Sequence, residues 1–85
     1  MRVMALDYGT RRTGVAVCDE LGITVRPVET IRGANRQEAL RRAADLTEEL
    51  EASLVVIGLP LNMDGSEGPT GKRARDFAEL LRRLN

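Results

Sequence analysis

Residues 5–17 read Ala5-Leu6-Asp7-Tyr8-Gly9-Thr10-Arg11-Arg12-Thr13-Gly14-Val15-Ala16-Val17. Short apolar runs lie on either side of a polar turn. The first, Val3 to Leu6, is apolar on both faces, as in a buried strand, and Gly14 to Cys18 is a second such run. Only Gly9 to Thr13 separates them, a length that suits a hairpin. Asp7 closes the first run. A carboxylate there is costly unless a hydrogen-bonding turn, a partner cation or a bound metal compensates its charge. The stretch predicts strand, tight turn and returning strand, with an acid displayed at the rim of a sheet.

Working outward, Val25 to Ile31 is a third extended segment, and Pro27 near its start suits an edge strand because proline cannot donate to a ladder. Gly33-Ala34-Asn35 breaks the pattern, and Asn35 followed by Glu38 fits a helix N-cap with its capping-box partner. From Arg36 to Glu51 the residues Ala39, Leu40, Ala43, Leu46 and Leu50 recur at helical spacing. Ser53-Leu54-Val55-Val56-Ile57-Gly58 is β-branched and apolar on both faces, which predicts a central strand parallel to the first. The loop from Leu59 to Pro69 is polar and rich in turn residues. Pro69 suits the first turn of a last helix, whose buried stripe is Ala74, Phe77, Ala78 and Leu81. The order is β-β-β-α-β-α, an α/β domain with a mixed sheet and expected strand order 3-2-1-4. The C-terminal ends of strands 1 and 4 are then neighbours. Asp7 and the Leu59–Pro69 loop meet at one rim, where open α/β sheets bind ligands.

Composition narrows the function classes. The 85 residues are one domain, 42% hydrophobic, 31% charged and 2% aromatic, which describes a globular chain with an aliphatic core. A chain of this size buries only roughly 60–65% of its surface, so its stability is marginal. The formal net charge is zero, so the chain as a whole sets up no strong field towards nucleic acid. Of the 13 basic residues only Lys72 is lysine, and arginine is the side chain suited to bidentate phosphate contact. Cys18 stands alone and histidine is absent, which excludes an intrachain disulfide, zinc-finger ligation and His-based acid–base chemistry. No apolar stretch approaches a membrane span and no signal peptide precedes the first strand, so a cytoplasmic setting is expected.

The stretch from Ala5 to Val17, followed by Ile57-Gly58-Leu59-Pro60-Leu61-Asn62-Met63-Asp64-Gly65-Ser66-Glu67-Gly68-Pro69, resembles the bacterial YqgF family, also called RuvX. Its members are described as Holliday-junction resolvases and as nucleases processing pre-16S ribosomal RNA. Leu21-Gly22-Ile23-Thr24 and Pro27-Val28-Glu29-Thr30-Ile31 fit the resemblance too. It implies an RNase H-like fold in which acids at the sheet rim hold magnesium or manganese, and Asp7 matches the family's first catalytic acid. The resemblance also implies a fifth strand with an Asp-Glu-Arg-type motif and C-terminal helices with a further aspartate. Nothing in the 85 residues matches these, and Asp7 is the one acid carried over as a metal ligand.

Each candidate carries a structural reading beside the functional one. Asp7 caps the Gly9-Thr10 turn or ligates metal. Gly9, Thr10, Arg11 and Arg12 form a hairpin turn with solvated arginines or approach a phosphate. Asp7-x-Gly9-Thr10 also resembles the first phosphate loop of actin-like, hexokinase-like and Hsp70-like ATPases. Asn62 would orient water or a scissile phosphate and Glu67 would line the site, whereas Asp64-Gly65 is a common turn pair. Arg73 and Arg75, opening the last helix, are candidates for backbone contact with nucleic acid, which would not read sequence. Arg41-Arg42 and Arg82-Arg83 read as solvated helix faces, and Cys18 as a small buried hydrophobe. The expected function is the N-terminal part of a metal-dependent nuclease acting on branched DNA or precursor rRNA, inactive in isolation. The alternatives are a non-catalytic module that binds nucleic acid or forms homo-oligomers through the strand-4 edge, and an ATPase-like phosphate binder. No membrane partner is expected.

Overall fold

A computed structural model describes residues 2–9, 11–19, 24–32, 35–58, 64–66 and 68–84. The strands are β1 (Val3–Tyr8), β2 (Arg12–Cys18), β3 (Val25–Arg32) and β4 (Leu54–Ile57), and the helices are α1 (Arg36–Glu49) and α2 (Pro69–Leu84). They form one mixed sheet in the order β3-β2-β1-β4. β1 is antiparallel to β2 and parallel to β4, as the hairpin and the α1 crossover require.

Both helices cover the same face of the sheet. Met4 and Leu6 of β1, Val15 of β2 and Ile31 of β3 pack in one cluster with Ala39, Leu40, Ala43 and Leu46 of α1 and with Phe77 and Leu81 of α2. Phe77 and Met4 are fully enclosed, and such side chains each contribute about 1.5–3 kcal/mol by leaving water. The Tyr8 ring lies 4.6 Å from that of Phe77, fixing α2 over the end of β1.

The α1 boundaries follow local chemistry. Asn35 Oδ1 accepts the Glu38 N–H at 2.9 Å, as the cap reading expects. At the other end the Glu51 N–H donates to the Glu48 carbonyl at 3.1 Å and the Ala52 N–H to that of Thr47 at 3.0 Å. These bonds make a Schellman ending, two residues short of the helix end read from the sequence. Arg2 Nη1 donates to the Leu50 carbonyl at 2.8 Å, so a side chain from the start of the chain closes the same helix end.

The opposite face of the sheet has no covering layer among the described residues. Ladder partners share a face, so Asp7 and Gly14 stand there with Ala5 and Ala16, while Leu6 and Val15 face the helices. β4 is an edge strand and not a central one, with Leu54 and Val56 47% and 48% exposed. Its two-sided apolar pattern reads as a central strand, whereas the expected order 3-2-1-4 already puts it at the edge. Cys18 is half-exposed at the end of β2 and is not a core residue. No described helix is long and apolar enough to cross a membrane.

Candidate functional site

The site is built around Asp7, the fifth residue of β1. Its side chain is exposed on the open face and makes no ion pair among the described residues. Gly14 is its direct partner on β2, and Gly58 follows β4 on the other side, donating its N–H to the Leu6 carbonyl at 2.9 Å. Glycine thus flanks the carboxylate on both sides. The surrounding depression is about 720 Å³, with Ala5, Ala16, Pro27, Thr30 and Val56 among its lining residues. Apart from Asp7 and Glu29 its walls are uncharged. The Leu6–Ile57 pairing brings the C-terminal ends of β1 and β4 together, as expected.

Gly9 has a local reason to be glycine. A Cβ at this position would stand 2.5 Å from the Arg12 carbonyl oxygen, across the hairpin. Arg11 and Arg12 follow, both exposed at the same rim. Arg73 is exposed on α2, one turn before Phe77, and the described contacts do not bring it to Asp7. Asp64 accepts from Ser66 N–H at 2.9 Å and from Ser66 Oγ at 2.6 Å, with Gly65 at φ 86°. The Ser66 hydroxyl and N–H hold the Asp64 carboxyl below the usual carboxylate range. Asp64 is therefore occupied with turn chemistry, the structural reading of that loop. Thr10, Asn62 and Glu67 lie outside the described residues.

Arg42 departs from the sequence expectation. It is half-buried and bidentate on Glu29, with Nε at 2.9 Å and Nη2 at 2.7 Å, and reaches Glu49 at 3.5 Å. This ties α1 to β3. The signal is invisible in sequence because a register shift beside Val28 decides which face Glu29 takes. Arg82 and Arg83 do pair with Glu79 on the exposed face of α2, as a solvated helix surface should.

The donor set for a metal is small. Among the described residues no three of His, Cys, Asp and Glu come together. Magnesium and manganese take about six oxygen ligands, and one carboxylate on an open face does not make such a site. Asp7 would supply one oxygen ligand of the several such an ion takes.

The order β3-β2-β1-β4 with both helices on one face, and an acid at the joined ends of β1 and β4, defines an α/β protein with an RNase H-like sheet. A family model described as "RuvX: Holliday junction resolvase" matches residues 1–85. The chain belongs to the RuvX family, also called YqgF. It is 48% identical over 81 residues to a Myxococcus xanthus protein and 49% identical over 85 residues to one from Halalkalibacterium halodurans. A third relative, from Halothermothrix orenii, is 42% identical over 83 residues. Each is named "Putative pre-16S rRNA nuclease". The matches take in 95%, 98% and 98% of this chain but 54%, 61% and 59% of the relatives, so the chain spans little more than half their length.

Proposed function

We propose that this chain is the Asp7-bearing part of a metal-dependent nuclease acting on structured nucleic acid, either branched DNA or precursor rRNA. The observation that carries the reading is an exposed carboxylate between glycines, at the joined ends of β1 and β4, in a chain of the RuvX family. Asp7 would be one ligand of magnesium or manganese, a metal that activates water and stabilises the leaving oxygen in phosphodiester hydrolysis. Gly9 to Arg12 would approach the phosphate backbone, with Asn62, Glu67 and Arg73 as further contacts. The guanidiniums neutralise phosphate charge and set the register of the backbone without reading bases.

Alone, these 85 residues have little or no hydrolytic activity, because phosphodiester chemistry with metal needs several convergent acids and Asp7 is the only acid proposed as a ligand. Incubation with a four-way DNA junction and with precursor 16S rRNA, in magnesium or manganese, tests this. No cleavage above background is expected. Robust cleavage that Asp7→Asn abolishes would overturn the inactivity and leave Asp7 as ligand standing.

A second reading is favoured by the exposed edge of β4 and the uncovered face of the sheet. An apolar edge of this kind invites pairing with another chain, and the chain would then act as a non-catalytic, self-associating or nucleic-acid-binding module. The ATPase-like phosphate reading rests on Asp7-x-Gly9-Thr10, and the hairpin supplies a separate reason for Gly9. A calorimetric titration with ATP and magnesium that gives no heat removes it.

A further inference from the structure

Arg12 and Arg32 are directly opposed across the β2–β3 ladder. Both are exposed, and neither forms an ion pair among the described residues. Their neighbours Thr13 and Ile31 are buried beneath the helices, so the alternation of the strands puts both arginines on the open face. Like charges directly opposite one another destabilise a sheet. Arg42, Arg82 and Arg83, by contrast, all have acidic partners.

The position of this pair matters more than its charge. The next open-face pair along the same ladder is Gly14 and Thr30, and Gly14 is the partner of Asp7. The guanidiniums thus belong to the row beside Asp7, about 7 Å along the strands towards the rim. Among the described residues, Gly14 and Thr30 form the floor between the arginines and Asp7. An anion bridging the arginines would relieve their repulsion, and the planar fork of each guanidinium matches two phosphate oxygens.

We propose that Arg12 and Arg32 form a clamp for one phosphate of a nucleic-acid backbone, leading that backbone across the β2–β3 half of the open face to Asp7. Arg32 thereby becomes a substrate-binding residue on a strand to which no binding role has been given. The inference rests on the nucleic-acid reading above, and its test separates the two.

The experiment measures binding of a fluorescent four-way DNA junction and a fluorescent single strand to the 85-residue chain across a salt series. Thermal unfolding is followed in parallel with and without inorganic phosphate. Arg32→Ala and Arg12→Ala should each weaken binding about tenfold and reduce the salt slope by about 0.7–0.9. Arg41→Ala, an equal loss of charge on exposed α1 surface, should not. Without ligand, Arg32→Ala should unfold at a higher temperature than the parent, and its stabilisation by phosphate should vanish. Parent binding that Arg32→Ala leaves unchanged overturns the clamp and spares the nuclease reading. Phosphate stabilisation that needs Arg32, without nucleic-acid binding, supports the clamp as an anion site and removes the nucleic-acid reading. Neither effect in the parent overturns both.

Discussion

Glu51 adopts φ 53°, the left-handed region that costs an L-residue about 1–2 kcal/mol. It does so because the Schellman bonds at the end of α1 need a residue in that conformation, and glycine is the usual one. Glu51→Gly should therefore stabilise the fold by about 1 kcal/mol, raising the thermal midpoint by roughly 4–8 °C in a domain of this size. Thermal unfolding by circular dichroism checks it, and an unchanged or lower midpoint would contradict the cap geometry. Gly9 is the converse case, a position where any side chain meets the Arg12 carbonyl. At this scale the exposed rim position of Asp7 was legible in the sequence, because a lone acid ending an apolar strand conflicts with its surroundings. Glu51 was not, because a glutamate in a cap carries none of the signal of a glycine there.

Among the elements, local patterns and the strand order were legible, whereas side-chain pairings set by strand register were not. The N-cap of α1, Pro69 at the start of α2 and the β1–β2 hairpin each follow from residues a few positions apart. The Glu29–Arg42 pair and the Arg12–Arg32 opposition depend on register between strands, which the bulge beside Val28 alters. The Glu29 link gives a test between elements. The hydrogen bond from Arg42 holds the Glu29 carboxyl below the usual carboxylate range, and the opposing effect of burial is smaller. A group with a lowered folded pKa contributes stability above its unfolded pKa, about 4.3, and that stability is lost as pH falls through the folded value. Glu29→Gln should therefore lower stability at pH 7 and flatten its decline below about pH 4.5. Urea unfolding at pH 7, 4.5 and 3 measures both, and an unaltered acid profile would show that the α1–β3 link is not an ionic one. Asp64 and Glu79, also lowered by their partners, contribute in the same direction and leave a residual slope.

The whole molecule is less enclosed than its mass implies. A compact monomer of 9.4 kDa exposes about 5,000 Å² by size scaling, whereas this chain exposes 5993 Å². The surplus of about 1,000 Å² is comparable to one partner's share of a standard protein interface. The uncovered sheet face and the apolar β4 edge, with Leu54 and Val56 about half exposed, give the expectation of self-association its physical basis. Light scattering over a dilution series should find a dimer or larger species at micromolar concentration. A Leu54→Lys, Val56→Lys variant, which charges the edge, should shift it towards monomer. A folded monomer at every concentration would sink the association reading.

Equal numbers of positive and negative side chains do not make the molecule electrically featureless. Arg11, Arg12 and Arg32 gather at the rim where β1 ends, whereas at the opposite end Arg2 and Arg26 stand beside Asp19. The rim is thus a local positive patch on a molecule with no net charge. A polyanion would feel that patch only at short range, within a Debye length of roughly 8–10 Å, so its capture would be weak at a distance and quenched by salt.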